Sequence, residues 1–332
     1  MKDNKTIKKL IKSFLDLEEI SHEIGLDTLK DIVNILANSN NATKKHIIKW
    51  YKRFAVNGVL TTDDVKKVLN KQELKEFKKL MYKYINDCEI YHFEREYLNG
   101  LKELKNSKKI SRLKTIETIL KHNNNITYYL VNNRVNEMIK TVYSNSYYRT
   151  IYEIQKHQNV LKYIDEINKN IISNLPYIKW SKDKLGFVDR IDYIGSNHFK
   201  MLNDIILKSV VYERPIEDTL KKVSNIYSKE ISKLGRLIRT EQAYYHSIAQ
   251  KQAYNHEGVE EYQIIAIIDK RTSQICRFLN RKKFNIIEYE IGTTAPPFHP
   301  NCRSTTRPCV YRKNYNDLYN ISFDEWKKKY VK

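Results

Sequence analysis

Proline is missing from the first 175 residues: all six (Pro176, Pro215, Pro296, Pro297, Pro300, Pro308) lie beyond them. Only Gly25, Gly58 and Gly100 interrupt the same span. The two strongest helix breakers are thus scarce there, and long helices are expected in the N-terminal half. Four cysteines, Cys88, Cys276, Cys302 and Cys309, are too few for a disulfide scaffold in 332 residues, which points to a reducing compartment. The longest apolar run, Ile264-Ile265-Ala266-Ile267-Ile268, falls far short of the roughly 18 residues a spanning helix needs. The basic start, Met1-Lys2-Asp3-Asn4-Lys5, leads into Lys8-Lys9 and an amphipathic stretch with no apolar signal core. A soluble chain with no membrane partner and no signal peptide is expected. Catalytic templates are missing too: there is no Gly-rich phosphate loop, no Gly-x-Ser-x-Gly and no His-Glu-x-x-His. Nucleotide hydrolysis is disfavoured.

What is abundant is positive charge. Lys and Arg number 60 against 39 Asp and Glu, a formal charge of +21, so phosphate-rich or acidic surfaces attract the chain and nucleic acid leads its partners. Lys, Asn, Ile and Tyr share A/T-rich codons, which can raise the lysine count without explaining its excess over acids. A solvated basic surface is the other reading.

Leu74, Phe77, Leu80, Tyr84, Cys88 and Tyr91 recur at three- and four-residue steps, the signature of one helical face, and Cys88 reads as core. Similar patterns run through Leu113, Ile116 and Leu120, and through Leu130, Val135, Met138, Ile139 and Val142. The Asn-rich runs 38–41 and 123–125 are expected to be loops between helices. Tyr128, Tyr129, Tyr143, Tyr147 and Tyr148 lie among bases and could stack on nucleic acid, but their helical spacing favours packing. Near Pro176 the texture changes. Helical patterns continue to Ile248, and strand-like segments follow at Tyr262 to Ile268 and Phe284 to Ile291, with a short helical turn from Ser273 to Asn280 between them. The expectation is a mainly α protein with a small α+β C-terminal domain and a short β-sheet near residues 262–291. Its expected segments are a long-helix domain over 1–175, an α+β domain over 176–310 and a basic tail over 311–332.

The densest chemistry lies in Asp269-Lys270-Arg271-Thr272-Ser273-Gln274-Ile275-Cys276 and in Pro296-Pro297-Phe298-His299-Pro300-Asn301-Cys302-Arg303. His299-x-x-Cys302 offers a nitrogen and a thiolate at the spacing of tetrahedral zinc sites, and Cys276 can supply a third donor. A fourth is missing; Cys309 or a water could complete the shell. Two readings stand: a bound structural zinc, or a metal-free cluster packed by His299 and Cys302. Either role is structural, a staple for a sheet too small to close its own core. Glu241 shares a helical stripe with Leu234, Leu237, Ile238, Tyr245 and Ile248, so it is expected to be buried and to need a partner, for which Arg271 is the candidate. Asp269, just before Thr272 and Ser273, suits a turn or helix cap.

With Arg239-Thr240-Glu241 upstream, these strings resemble the phage head-morphogenesis (minor capsid, Mu F-like) family, over residues from about 180 to 310. The likeness is carried by Arg239, Thr240, Glu241, Asp269, Arg271, Thr272, Pro296, Pro297, His299, Cys302 and Arg303. Many members carry Cys-x-x-Cys where this chain has Ser273-x-x-Cys276, and serine is a poor zinc ligand. The resemblance implies a non-enzymatic minor capsid protein of a tailed bacteriophage. It would be portal-associated, meet the portal protein and the scaffold or major capsid protein, and act in procapsid assembly and DNA packaging or ejection. It would touch double-stranded DNA nonspecifically and be found in the virion, inside the head, and in host cytoplasm during assembly. Two alternatives remain: a free-standing nucleic-acid-binding protein, and an ADP-ribosyltransferase-like toxin. The toxin reading would use Arg239 with Glu288 and Glu290 on one strand face.

Overall fold

In a computed structural model the described residues are 2–181, 183–310 and 321–332, with side chains described from residue 7 onward. The low count of helix breakers is reflected in α1 (Lys2–Phe54), a helix of 53 residues. Then come α2 (Thr62–Lys66), α3 (Lys71–Ile90), α4 (Arg95–Asn106), α5 (Arg112–Gln158), α6 (Lys169–Asn174), α7 (Phe187–Val211) and α8 (Ile216–His256). The remaining elements are β1 (Glu261–Ala266), α9 (Gln274–Leu279), β2 (Lys283–Asn285), β3 (Ser304–Pro308) and α10 (Phe323–Tyr330). The mainly α architecture with a small sheet near the C-terminus is the one expected. No helix among the described residues is long and apolar enough to cross a membrane.

The chain forms two compact units, each built from separate segments: residues 1–30, 134–187 and 234–332 in the first, and 31–133 with 188–233 in the second. The expected boundary at 175/176 falls inside the first unit.

In the second unit, Phe77, Met81, Tyr84 and Cys88 are the buried stripe of α3, as the spacing implied, with Leu74 and Leu80 at its half-buried margin. The two Asn-rich runs are not loops; both lie inside long helices. In the second run the reason is that Asn123 and Asn124 bond other helices rather than their own backbone. Asn123 Nδ2 donates to Thr43 Oγ1 at 2.9 Å and to Ser39 Oγ at 3.1 Å, and Thr127 donates to Ser39 Oγ at 2.7 Å. Asn124 Nδ2 donates to the Gly195 carbonyl at 3.1 Å, and its Oδ1 lies 2.9 Å from His198 Nδ1. Gly195 is required for this approach, since a Cβ there would lie 2.7 Å from the Tyr128 ring. Tyr128 here, and Tyr143, Tyr147 and Tyr148 in the first unit, are buried and Tyr129 is half-buried, as the packing reading expects.

In the first unit the sheet has the order β2-β1-β3, both pairs antiparallel, with Tyr262 opposite Phe284 on one side and Pro308 on the other. Its core joins Leu10, Phe14 and Leu17 of α1 with Ile154, Tyr254, Tyr262, Ile264 and Tyr289. The expected second strand is shortened. Only residues 283–285 pair, because Asn285 caps a 3-10 turn over Ile286–Glu288 and Glu288 returns a bond to the Asn285 N–H at 3.0 Å. Glu288 and Glu290 therefore do not share a strand face, and the transferase reading loses its premise. Strand β3 was not foreseen. All five of its residues are buried although three are polar and one is charged, because helix α8 supplies partners for Thr305 and Thr306 while Arg307 Nε donates to Gln263 Oε1 of β1 at 2.9 Å. Gln250 accepts from Thr305 and Thr306 at 3.2 and 3.0 Å, and His246 Nε2 lies 3.2 Å from Thr305 Oγ1.

Of the expected tail, residues 311–320 lie outside the described residues. The rest forms α10, whose Trp326 is fully buried and donates to Gln155 Oε1 at 3.2 Å, while residue 331 pairs with Ile164.

Candidate metal centre

Strand β1 ends at Ala266, and the chain turns through Asp269 into α9. Asp269 fixes this turn: its Oδ1 accepts from the Arg271 N–H at 2.8 Å, and its own N–H donates to Thr272 Oγ1 at 2.7 Å. Ser273 is the N-cap of α9, accepting from the Cys276 N–H at 3.3 Å. Capping turns Cys276 inward, where it is 3% exposed.

The second half of the centre comes from the segment between β2 and β3. Pro296 and Pro297, joined by a cis peptide bond, and Cys302 are buried, and His299 is half-buried. The segment brings Cys302 Sγ to 3.7 Å and His299 Nε2 to 3.2 Å from Cys276 Sγ. The three donor atoms lie within 4.8 Å of one another. Ser273 Oγ completes the group at 2.9 Å from His299 Nε2. The other ring nitrogen, Nδ1, lies 2.9 Å from the Pro300 carbonyl, which can only accept, so Nδ1 carries the hydrogen and Nε2 presents its lone pair on the side of Cys276 Sγ. Cys276 is held well below the ordinary thiol range, at about 4, chiefly by a hydrogen bond from the Cys302 thiol, with Ser273, Ser304 and His299 adding to it against burial. Cys302 is pushed up by the same neighbour and by burial. Cys309, considered as a fourth ligand, is not part of this group; its backbone N–H donates to the Glu261 carbonyl at the sheet edge.

The flanking residues tie this segment down. Arg303 Nη2 donates to both oxygens of Asp269 at 2.7 Å, and this bond is the largest cause holding the Asp269 carboxyl down at about 2. Arg239 Nε on α8 donates to Asn301 Oδ1 at 2.7 Å. Asn301 adopts a left-handed φ of 59°, where Asn is among the better-tolerated residues. Thr240 bonds back to the Arg236 carbonyl along its own helix.

Glu241 is buried as expected, but the partner differs. Trp180 Nε1 donates to its Oε2 at 3.0 Å, with Trp180 stacked on Tyr244 at 4.5 Å. Arg271, the expected partner, has an 81% exposed side chain with Nε 4.0 Å from Asp269. An arginine in a turn of this length reaches solvent before it reaches α8, whereas Trp180 can bury an apolar ring and bring one donor with it.

Helix α1 contributes residues that sequence reasoning did not single out. Glu18 is 5% exposed, and burial pushes its carboxyl up to about 8 despite the opposing charge of Arg303. His22 is pushed down by burial and by Arg239 and Arg303. Ser21 Oγ accepts from Gln242 Nε2 at 2.7 Å. In the sequence Glu18-Glu19 looks like any exposed acidic pair.

No curated protein and no solved structure matches the chain. Residues 207–307 match the family model described as phage Mu protein F like protein, a span that holds α9, the three metal-ligating candidates and the Arg239, Asp269 and Arg303 clamps. The match covers under a third of the chain, and over that segment the chain is similar to the phage Mu protein F-like family.

Proposed function

We propose that the chain is a non-enzymatic minor capsid protein of a tailed bacteriophage, associated with the portal, that acts in procapsid assembly and in packaging or ejecting DNA. The family match carries this reading. It is supported by what the motif residues do in the fold. Arg239 holds Asn301, Arg303 holds Asp269, and Trp180 holds Glu241, so the polar side chains are spent on one another. That is how a rigid recognition surface is made. Two open surface grooves, one lined by Lys71, Leu74, Lys75, Lys78, Lys79 and Tyr82 and the other near Asn168 and Gln252, contain none of the motif residues.

Contact with double-stranded DNA in the head belongs to the same reading. Supporting it are the +21 charge and the α3 face just named, where Lys71, Lys75, Lys78 and Lys79 have no acidic partner within 4.0 Å among the described residues. Tyr82 on that face is 62% exposed, and Lys105 Nζ stands 4.7 Å above its ring. Lysines reaching phosphates without base readout give nonspecific, salt-sensitive binding.

The decisive experiment is co-assembly. The full chain is expressed with the portal protein and the scaffold or major capsid protein of the same genome, and particles and portal rings are purified. Retention of the chain on portal rings is the expected result; its absence from both rings and particles would sink the proposal. A free-standing nucleic-acid-binding protein would instead bind DNA and ignore the ring.

A further inference from the structure

We propose that Cys276, His299 and Cys302 bind one zinc(II) ion, with the fourth coordination place facing Ser273. Four observations carry this independently of the family reading. The first is size. Tetrahedral zinc with Zn–S of about 2.3 Å and Zn–N of about 2.0 Å separates two sulfurs by about 3.8 Å and a sulfur from a nitrogen by about 3.5 Å. Here the Cys276–Cys302 edge is 3.7 Å, the Cys276–His299 edge is 3.2 Å, and all three donor atoms lie within 4.8 Å of one another, the scale of such a site.

The second is direction. A zinc-bound histidine characteristically donates its other ring N–H to a carboxylate, a backbone carbonyl or water, which sets the tautomer. Nδ1 of His299 is in place for that bond, 2.9 Å from the Pro300 carbonyl, leaving the Nε2 lone pair on the side of Cys276 Sγ, 3.2 Å away.

The third is charge. Two thiolates and one Zn²⁺ sum to zero, which suits a place where both cysteines are at least 96% buried against Ala266 and Phe298. A harder ion such as Mg²⁺ or Ca²⁺ finds no carboxylate in the cluster, and soft sulfur donors favour zinc.

The fourth is position. Ser273 Oγ stands 2.9 Å from Nε2 while capping α9, so the vertex left by the three ligands meets a neutral oxygen rather than a hydrophobic wall. The shell is therefore Cys₂His plus one oxygen, the hydroxyl or a water it holds. What the ion would fasten is specific: α9, which follows β1, to the segment that leads into β3.

The test uses the full chain, produced without chelator. Elemental analysis should find close to one zinc per chain, and Cys276→Ser, His299→Ala and Cys302→Ser should each lower the retained zinc at least tenfold. Because such variants can fail to fold, the wild-type protein is also exchanged into cobalt(II). Thiolate-to-cobalt charge transfer together with visible bands of a tetrahedral ion is expected. Ser273→Cys should slow zinc transfer to a competing chelator. A wild-type chain that holds no zinc and gives no tetrahedral cobalt spectrum, or that carries a Cys276–Cys302 disulfide in a reducing host, overturns the assignment. An unchanged release rate in Ser273→Cys overturns the placing of the fourth site.

Discussion

Replacing Glu18 by glutamine should make the first unit more stable in neutral and alkaline solution while leaving it unchanged in acid. The carboxyl is 5% exposed on α1, and its protonation midpoint rises from 4.5 to about 8, chiefly through desolvation. The folded state therefore keeps a proton that the unfolded state releases. Between these values unfolding liberates that proton, so the contribution of Glu18 is fully present below pH 4.5 and is lost as pH rises through about 8. Its slope is about 1.4 kcal/mol per pH unit, which over the whole interval amounts to about 5 kcal/mol as an upper figure. Glutamine has the shape of the protonated acid and does not titrate. Melting of wild type and Glu18→Gln should be followed between about pH 4 and about pH 9 by tryptophan emission, to which Trp180 and Trp326 of the same unit contribute. The two curves should meet at the acid end and diverge steadily toward alkaline pH with the variant higher. Parallel curves, or a variant that is less stable above neutrality, would refute the claim that Glu18 is held neutral.

Other outcomes follow from the same geometry. His246 has its midpoint pushed down from 6.5 to about 3 by burial, so its share of stability is fully present above pH 6.5 and is lost as pH falls from there through about 3; a neutral glutamine there should flatten the acid limb of the melting curve. Gly195→Ala drives a methyl to 2.7 Å from the Tyr128 ring and should cost about 1–3 kcal/mol, seen as a lower urea midpoint for the second unit. Asn124→Leu leaves the Gly195 carbonyl and buried His198 without its bonds, and should destabilise by about 2–4 kcal/mol in the same assay. Changing Lys71, Lys75, Lys78 and Lys79 together to glutamine should weaken binding to random duplex DNA and flatten its salt dependence by up to about four charges' worth of slope, measured by fluorescence anisotropy. An unaltered slope would remove this face from the DNA contact.

Much of the architecture was legible because the signals were local. Scarce proline and glycine announce α1 and α5, and the spacing of Phe77, Tyr84 and Cys88 marks the buried stripe of α3. The short helix beginning after Ser273 was legible from its cap. What escaped depends on partners distant in sequence. Asn123 and Asn124 read as loop residues because nothing nearby shows that Ser39, Thr43 and Gly195 await them. Ser304 to Arg307 lack any apolar alternation; the burial of Thr305 and Thr306 rests on Gln250 and His246, more than 50 residues earlier, and that of Arg307 on Gln263. The trio of Cys276, His299 and Cys302 was recognisable from its donor types, whereas the identity of each clamp was not: Asp269 takes Arg303 rather than Arg271, and Glu241 takes Trp180.

The core of the first unit joins Leu10, Phe14 and Leu17 to Ile264 and Tyr289, residues more than 240 positions later. That separation has a consequence for the order of events on the ribosome. Synthesis runs from the N-terminus, so the apolar stripe of α1 emerges long before β1 and its neighbours exist. For most of translation Phe14 has nothing from the sheet to cover it, and the loop that must close to supply that cover is nearly the whole chain. The nascent protein therefore presents a basic helix with an uncovered hydrophobic edge, a natural client for a chaperone, until residues near 300 have left the exit tunnel.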